Sequence, residues 1–212
     1  MSEPALASDG RVIGERAQRT RRRLLDATAA LLDERGALGL RVVDITRTVG
    51  TSPATFYQYF ADVEEAILVL ADEATDDIEV LRPHLAETWD DTAGRAHAAA
   101  FVDAFMAYWD RHRVILRVRD LRAEEGDPRF WAVRQRGYSV VVPAFTAKVE
   151  EAQGAGRISG DLNSYAAASA AMSMMERLVT YQSQFKRRGV SKEAMAATLA
   201  AILHETVTGH ST

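Results

Sequence analysis

Residues 42–60 read Val42-Val43-Asp44-Ile45-Thr46-Arg47-Thr48-Val49-Gly50-Thr51-Ser52-Pro53-Ala54-Thr55-Phe56-Tyr57-Gln58-Tyr59-Phe60. Val42, Val43, Ile45 and Val49 give a short helix an apolar stripe. Gly50 stands where that helix must stop, because glycine takes the left-handed conformation without a Cβ clash. Ser52 then Pro53 restart the chain as helix. The hydroxyl can accept from an exposed amide, and proline at the first helical position loses no bond. Phe56 and Phe60, four apart, should face inward, leaving Ser52, Pro53, Ala54, Thr55, Tyr57, Gln58 and Tyr59 for the outer surface. Helix, three-residue turn and helix is the unit that presents its second helix to the DNA major groove.

The order Ile45, Gly50-Thr51-Ser52, then Thr55-Phe56-Tyr57-Gln58-Tyr59-Phe60 resembles the N-terminal domain of the tetracycline-repressor family. The family usually has Ala where Thr46 and Val49 stand here, and Lys where Val63 stands. The Lys that the resemblance would set against a phosphate at the start of the fourth helix is therefore missing here, while the fold is untouched. The resemblance implies a sequence-specific, DNA-binding regulator. Its candidate DNA-contacting residues are Arg22, Arg41, Thr51, Ser52, Pro53, Ala54, Thr55, Tyr57, Gln58 and Tyr59.

A net charge of −4 over 212 residues sits oddly with DNA binding until its distribution is read. Residues 11–23 carry +5, residues 1–60 carry +2, and the remainder carries −6. Positive charge lies where phosphates would be met; a solvated basic tail is the alternative. Residues 1–18 are expected to be a disordered basic arm, 19–62 the DNA-binding domain, and 63–212 a ligand-binding and dimerisation domain. Apolar residues make up 47%, enough for a packed core. There are no cysteines, which excludes disulfides and thiolate metal sites and is compatible with a cytoplasmic protein. No apolar run approaches the 18 residues of a membrane span, and the first ten residues lack a signal peptide's apolar stretch.

The whole chain reads as all-α, with about nine helices. The first runs from about Thr20 to Arg35, and the fourth from near Asp62 until Pro83 marks its end. The fifth carries Phe101, Phe105 and Trp109, and the sixth Val114, Ile115, Val118 and Leu121. The seventh follows Gly126-Asp127-Pro128 and contains Pro143, which frees the Ser139 carbonyl. The eighth lies between Asp161 and Gly189, and the ninth is capped by Ser191.

Aromatics cluster in the fifth and seventh helices, and Met172, Met174 and Met175 lie on the eighth. A well-packed core and an apolar effector cavity are both open readings of this cluster. Met172-Ser173-Met174-Met175-Glu176-Arg177 resembles the ethionamide-resistance repressor branch of the family. That resemblance implies an apolar tunnel for a small, largely apolar effector, with Phe101, Phe105, Trp109, Trp131, Gln135, Tyr138, Val142, Phe145, Met172, Met175, Glu176 and Thr180 as candidate ligand-binding residues. The branch has asparagines where Met172 and Met175 stand, so a different and more apolar ligand is implied. Glu176, an acid on an apolar face, needs a partner. That partner is a ligand or a structural group such as Tyr, Arg or freed backbone. His97, His112 and His204 show no metal-ligand spacing and read as surface or capping residues.

Alanines crowd the eighth and ninth helices: Ala166, Ala167, Ala168, Ala170, Ala171, then Ala194, Ala196, Ala197, Ala200 and Ala201. Good helix formation alone accounts for them. Family resemblance adds a homodimer through these two helices, with two heads matched to a palindromic operator on double-stranded DNA. The expected output is repression, relieved when an effector favours a second state. No phosphate loop, metal cluster or nucleophile motif is present, so neither enzymatic activity nor a cofactor is expected. The alternative is an all-helical ligand-binding protein or enzyme with only incidental DNA binding.

Overall fold

Among the described residues, the apolar periodicities resolve as helices. The computed structural model describes residues 14–36, 39–89 and 93–209, and these hold ten α-helices, a 3-10 turn and no strand. In order they are α1 (Glu15–Arg35), α2 (Val42–Val49), α3 (Pro53–Tyr57), α4 (Val63–Asp76), the 3-10 turn (Asp77–Leu81), α5 (Arg82–Ala86), α6 (Gly94–Glu124), α7 (Pro128–Gly154), α8 (Ser164–Thr180), α9 (Gln182–Arg187) and α10 (Lys192–Thr208).

The divisions differ from expectation in physical ways. Helix α1 begins at Glu15, so residues 15–18 are its first turn and not arm. Glu15 complements the helix dipole there and lies 3.7 Å from Arg19, one turn on. The rest of the expected arm, 1–13, lies outside the described residues. The expected fifth and sixth helices are one, because no glycine or proline interrupts residues 95–124. Pro83 does not end a helix. It sits in the first turn of α5, where it forfeits no hydrogen bond. Helix α7 continues through Pro143. The expected eighth helix divides at Tyr181 into α8 and α9, and the ninth is α10.

Two compact units emerge. The first combines the described residues up to Ala74 with Val114–Val133; the second combines Thr75–Arg113 with Arg134 onward. By contacts, the first unit thus takes in α4 and the α6–α7 turn beyond the expected DNA-binding segment 19–62. Ala66, Ile67, Leu70, Ala71 and Ala74 of α4 are buried, as are Ile115, Leu116, Val118, Phe130 and Val133. A three-helix head of about 45 residues buries only a small core alone, and α4 with the α6–α7 turn belongs to the same unit. Polar ties join the same parts. Glu64 of α4 lies 2.8 Å from Arg122 and 3.7 Å from Arg129.

In the second unit, histidines brace the backbone. His204, expected as a surface or capping residue, is buried, and its Nε2 meets the Trp89 carbonyl at 2.9 Å. His97 Nδ1 meets the Thr88 carbonyl at 2.7 Å. His112 is half-buried, with Nε2 3.0 Å from Asp77 Oδ2. Among the described residues no group of three or more His, Asp or Glu could hold a metal ion, and no helix is long and apolar enough to cross a membrane.

Candidate nucleic-acid interface and effector site

The reading head is built as its residue types require. Gly50 adopts φ 73° and ψ 43°, the left-handed conformation. The Thr51 amide bonds back to the Thr46 carbonyl at 2.9 Å, closing the helix end. Ser52 Oγ accepts from the Thr55 amide at 3.2 Å, and Pro53 opens α3. Phe56 and Phe60 are fully buried, with ring centroids 5.3 Å apart. These two rings fix which way α3 faces. Ser52, Pro53, Ala54, Tyr57 and Gln58 are exposed, and Thr51, Thr55 and Tyr59 are half-buried. Tyr57 is 53% exposed and meets Phe56 edge-on at 5.8 Å.

The arginines divide into two groups. Arg22 bonds Asp26 at 2.8 Å and Glu73 at 2.7 Å, so its charge is matched within its own unit. Arg23 donates to the Val49 carbonyl at 2.8 Å and braces the end of α2. Arg41 keeps 74% of its side chain exposed, with its Nε 3.4 Å from Asp44 Oδ2. Arg47, which the sequence did not single out, is 79% exposed and 3.9 Å from the same carboxylate. Its signal was available. It lies on the face of α2 opposite the buried Ile45 and Val49.

The effector candidates divide as well. Eleven of the twelve belong to the second unit. Trp131 belongs to the first and is 55% exposed. Phe101, Phe105, Trp109, Val142, Phe145, Met172 and Met175 are buried, and Gln135 and Thr180 are half-buried. On α6, Phe101, Phe105 and Trp109 recur every four residues, with successive centroids 6.3 and 6.2 Å apart. Phe101 meets Phe145 of α7 edge-on at 5.3 Å.

Glu176 is buried in this apolar setting and has structural partners. Tyr138 donates its hydroxyl to Glu176 Oε2 at 2.5 Å, and Arg134 donates to the Tyr138 oxygen at 2.8 Å. Arg134 Nη2 lies 3.9 Å from the same carboxylate oxygen. A buried acid is tolerable when so paired. Burial first, then the facing Glu176 carboxylate, push the Tyr138 phenol well above its ordinary 10, because ionising it would place two negative charges together away from water. Such a group contributes stability that is whole below pH 10 and disappears as the pH rises through the folded value. In an alkaline absorbance titration, Tyr138 is expected to ionise after the ordinary phenols, and Tyr138→Phe to remove that late step. A wild-type minus variant difference centred on pH 10 would contradict the geometry.

Known proteins share both halves of this arrangement. Residues 24–65 match the family described as bacterial regulatory proteins, tetR family, and residues 84–212 match the tetracyclin repressor-like C-terminal domain. A structure of a protein of unknown function from Rhodococcus sp. RHA1 superposes with a TM-score of 0.67 at 21% identity, over 89% of this chain and 95% of that one. The fatty acid degradation regulator FadR from Bacillus halodurans gives 0.64 at 15%, over 94% and 97%. The regulator FadR from Bacillus subtilis, in complex with stearoyl-CoA, gives 0.64 at 18%, over 89% and 98%. At these identities the structures speak for the fold alone. The two domain matches go further: one takes in the helix-turn-helix and the other more than half of the chain, and the chain belongs to the tetR family of bacterial regulatory proteins.

Proposed function

We propose that the chain is a repressor that holds a palindromic operator through α3 and is released by a small, largely apolar effector bound among α6, α7 and α8. The observation that carries the reading is the pairing of two surfaces in one chain. Buried Phe56 and Phe60 turn a polar, exposed α3 face outward, while the second unit gathers adaptable methionines and aromatic rings around a polar cluster. The B. subtilis FadR structure with stearoyl-CoA is consistent with an effector of apolar character. The stretch Met172 to Arg177 resembles the ethionamide-resistance repressor branch, and that resemblance supports an apolar effector. The DNA-contacting set is Arg41, Thr51, Ser52, Pro53, Ala54, Thr55, Tyr57, Gln58 and Tyr59, with Arg47 added and Arg22 serving as an internal brace.

The working form is a homodimer. Helices α8 and α10 pack on each other, and both leave small side chains exposed: Ala166, Ala170 and Ser173 on one, Ala194 and Ala197 on the other, beside Tyr165 and Ile202. Such residues let a second pair of helices approach closely. An effector acts on this dimer only through its differential affinity for the DNA-competent and released states.

Selection of the purified chain against randomised duplex DNA at physiological salt is expected to enrich a palindrome with half-sites about one helical turn apart or a multiple of it. Weak, salt-sensitive binding without enrichment, persisting after refolding to strip bound ligand, would overturn the reading.

A further inference from the structure

Trp109 is 1% exposed, and its indole Nε1 has no hydrogen-bond acceptor among the described residues. Trp89, buried to a similar degree, donates to the His84 carbonyl at 3.2 Å, which is the ordinary arrangement for a buried indole. A buried donor left unmet is destabilising and rare in native proteins.

The position of Trp109 can be read from a neighbouring contact. Phe101 of α6 meets Phe145 of α7, and α7 returns along α6 after a short turn. Trp109 lies eight residues beyond Phe101, and Tyr138 seven residues before Phe145. At the helical rise these are steps of about 12 and 10 Å in the same direction. Trp109 and Tyr138, whose hydroxyl is bonded to Glu176, thus both lie on the α6–α7 turn side of the Phe101–Phe145 contact. A buried, unmet donor and a paired carboxylate belong to the same unit.

We propose that the Trp109 indole N–H is the recognition point for a neutral oxygen acceptor, such as the carbonyl of a ketone, ester, thioester or amide, on an otherwise apolar effector. A free carboxylate is disfavoured at the same place. Glu176 already places one negative charge in the same unit, matched by Arg134, and a second would be buried without a cation of its own. The inference rests on the effector site proposed above and adds the chemistry of its ligand.

Three probes of nearly one shape separate the cases: butylbenzene, butyrophenone and 4-phenylbutyrate. The full chain is labelled at its indole nitrogens and methionine methyls, and the three indole N–H signals are assigned with Trp89→Phe, Trp109→Phe and Trp131→Phe. Butyrophenone is expected to move the Trp109 indole proton downfield and to bind about fivefold more tightly than butylbenzene, the worth of one hydrogen bond. Butylbenzene is expected to shift the Met172 and Met175 methyls without moving that proton, and 4-phenylbutyrate to bind more weakly than either. In Trp109→Phe the preference for the ketone should vanish. If that variant does not fold, the proton shift in the wild type decides. Methionine responses to both neutral probes with an unmoved Trp109 proton would overturn the inference and leave the effector site standing. Binding of 4-phenylbutyrate as tight as that of butyrophenone, with the same downfield move of the Trp109 proton, would also overturn it. No response at Trp109, Met172 or Met175 to any probe would overturn the effector site, and the inference with it.

Discussion

Tyr57→Ala is expected to lower operator affinity about ten- to a hundredfold while leaving the thermal midpoint where it was. Side chains that reach base edges or backbone are worth roughly 1–3 kcal/mol each. Tyr57 is the largest exposed group on α3, and its ring rests edge-on against Phe56. That contact holds the phenol outward at small cost in mobility, because the ring has few torsions to freeze. Truncation therefore removes a pre-positioned contact and little else. Fluorescence anisotropy on the selected operator, at two salt concentrations, is the measurement. Arg47→Ala should behave differently. Loss of a phosphate contact weakens all sequences alike and lowers the salt slope by about one, whereas Tyr57→Ala should leave the slope unchanged. Undiminished operator binding by Tyr57→Ala would mean that α3 is not the reading helix.

Phe60→Ala, three residues away, is expected to fail for a different reason. Phe60 is fully buried, tilted against Phe56 at 5.3 Å, and covered by the Arg21 guanidinium at 5.2 Å from its ring centroid. Removing such a ring costs about 3–5 kcal/mol, because the surroundings close only partly over the cavity. Whole domains are stable by only about 5–15 kcal/mol. Operator binding should be lost together with the cooperative melting of the head, seen as a lower urea midpoint or as a new low-temperature transition. A variant with wild-type melting would refute the packing of the first unit.

The helix-turn-helix was legible because its signals are local. Gly50, Ser52 and Pro53 each answer a backbone requirement within four residues, and Phe56 and Phe60 share a face by helical spacing alone. The partner of Arg22 was not legible, and for Glu176 the sequence offered the residue types Tyr and Arg but not their positions. Glu73 lies 51 residues from Arg22, and Tyr138 lies 38 residues from Glu176, and no periodicity encodes such distances. Trp131 shows the same limit. Its neighbour Phe130 is fully buried while Trp131 is exposed, because adjacent positions on a helix point about 100° apart. The merging of two expected helices into α6 had a readable cause, the lack of a breaker around Arg111-His112-Arg113. A polar interval is no helix stop.

The discontinuity of the first unit limits how this regulator can be re-engineered. A DNA-reading module cut at residue 62, or even at Ala74, would leave behind Ile115, Leu116, Val118, Phe130 and Val133, and with them Arg122 and Arg129, which face Glu64. Grafting this specificity onto another sensor therefore requires two segments of chain, joined inside α4, α6 and α7.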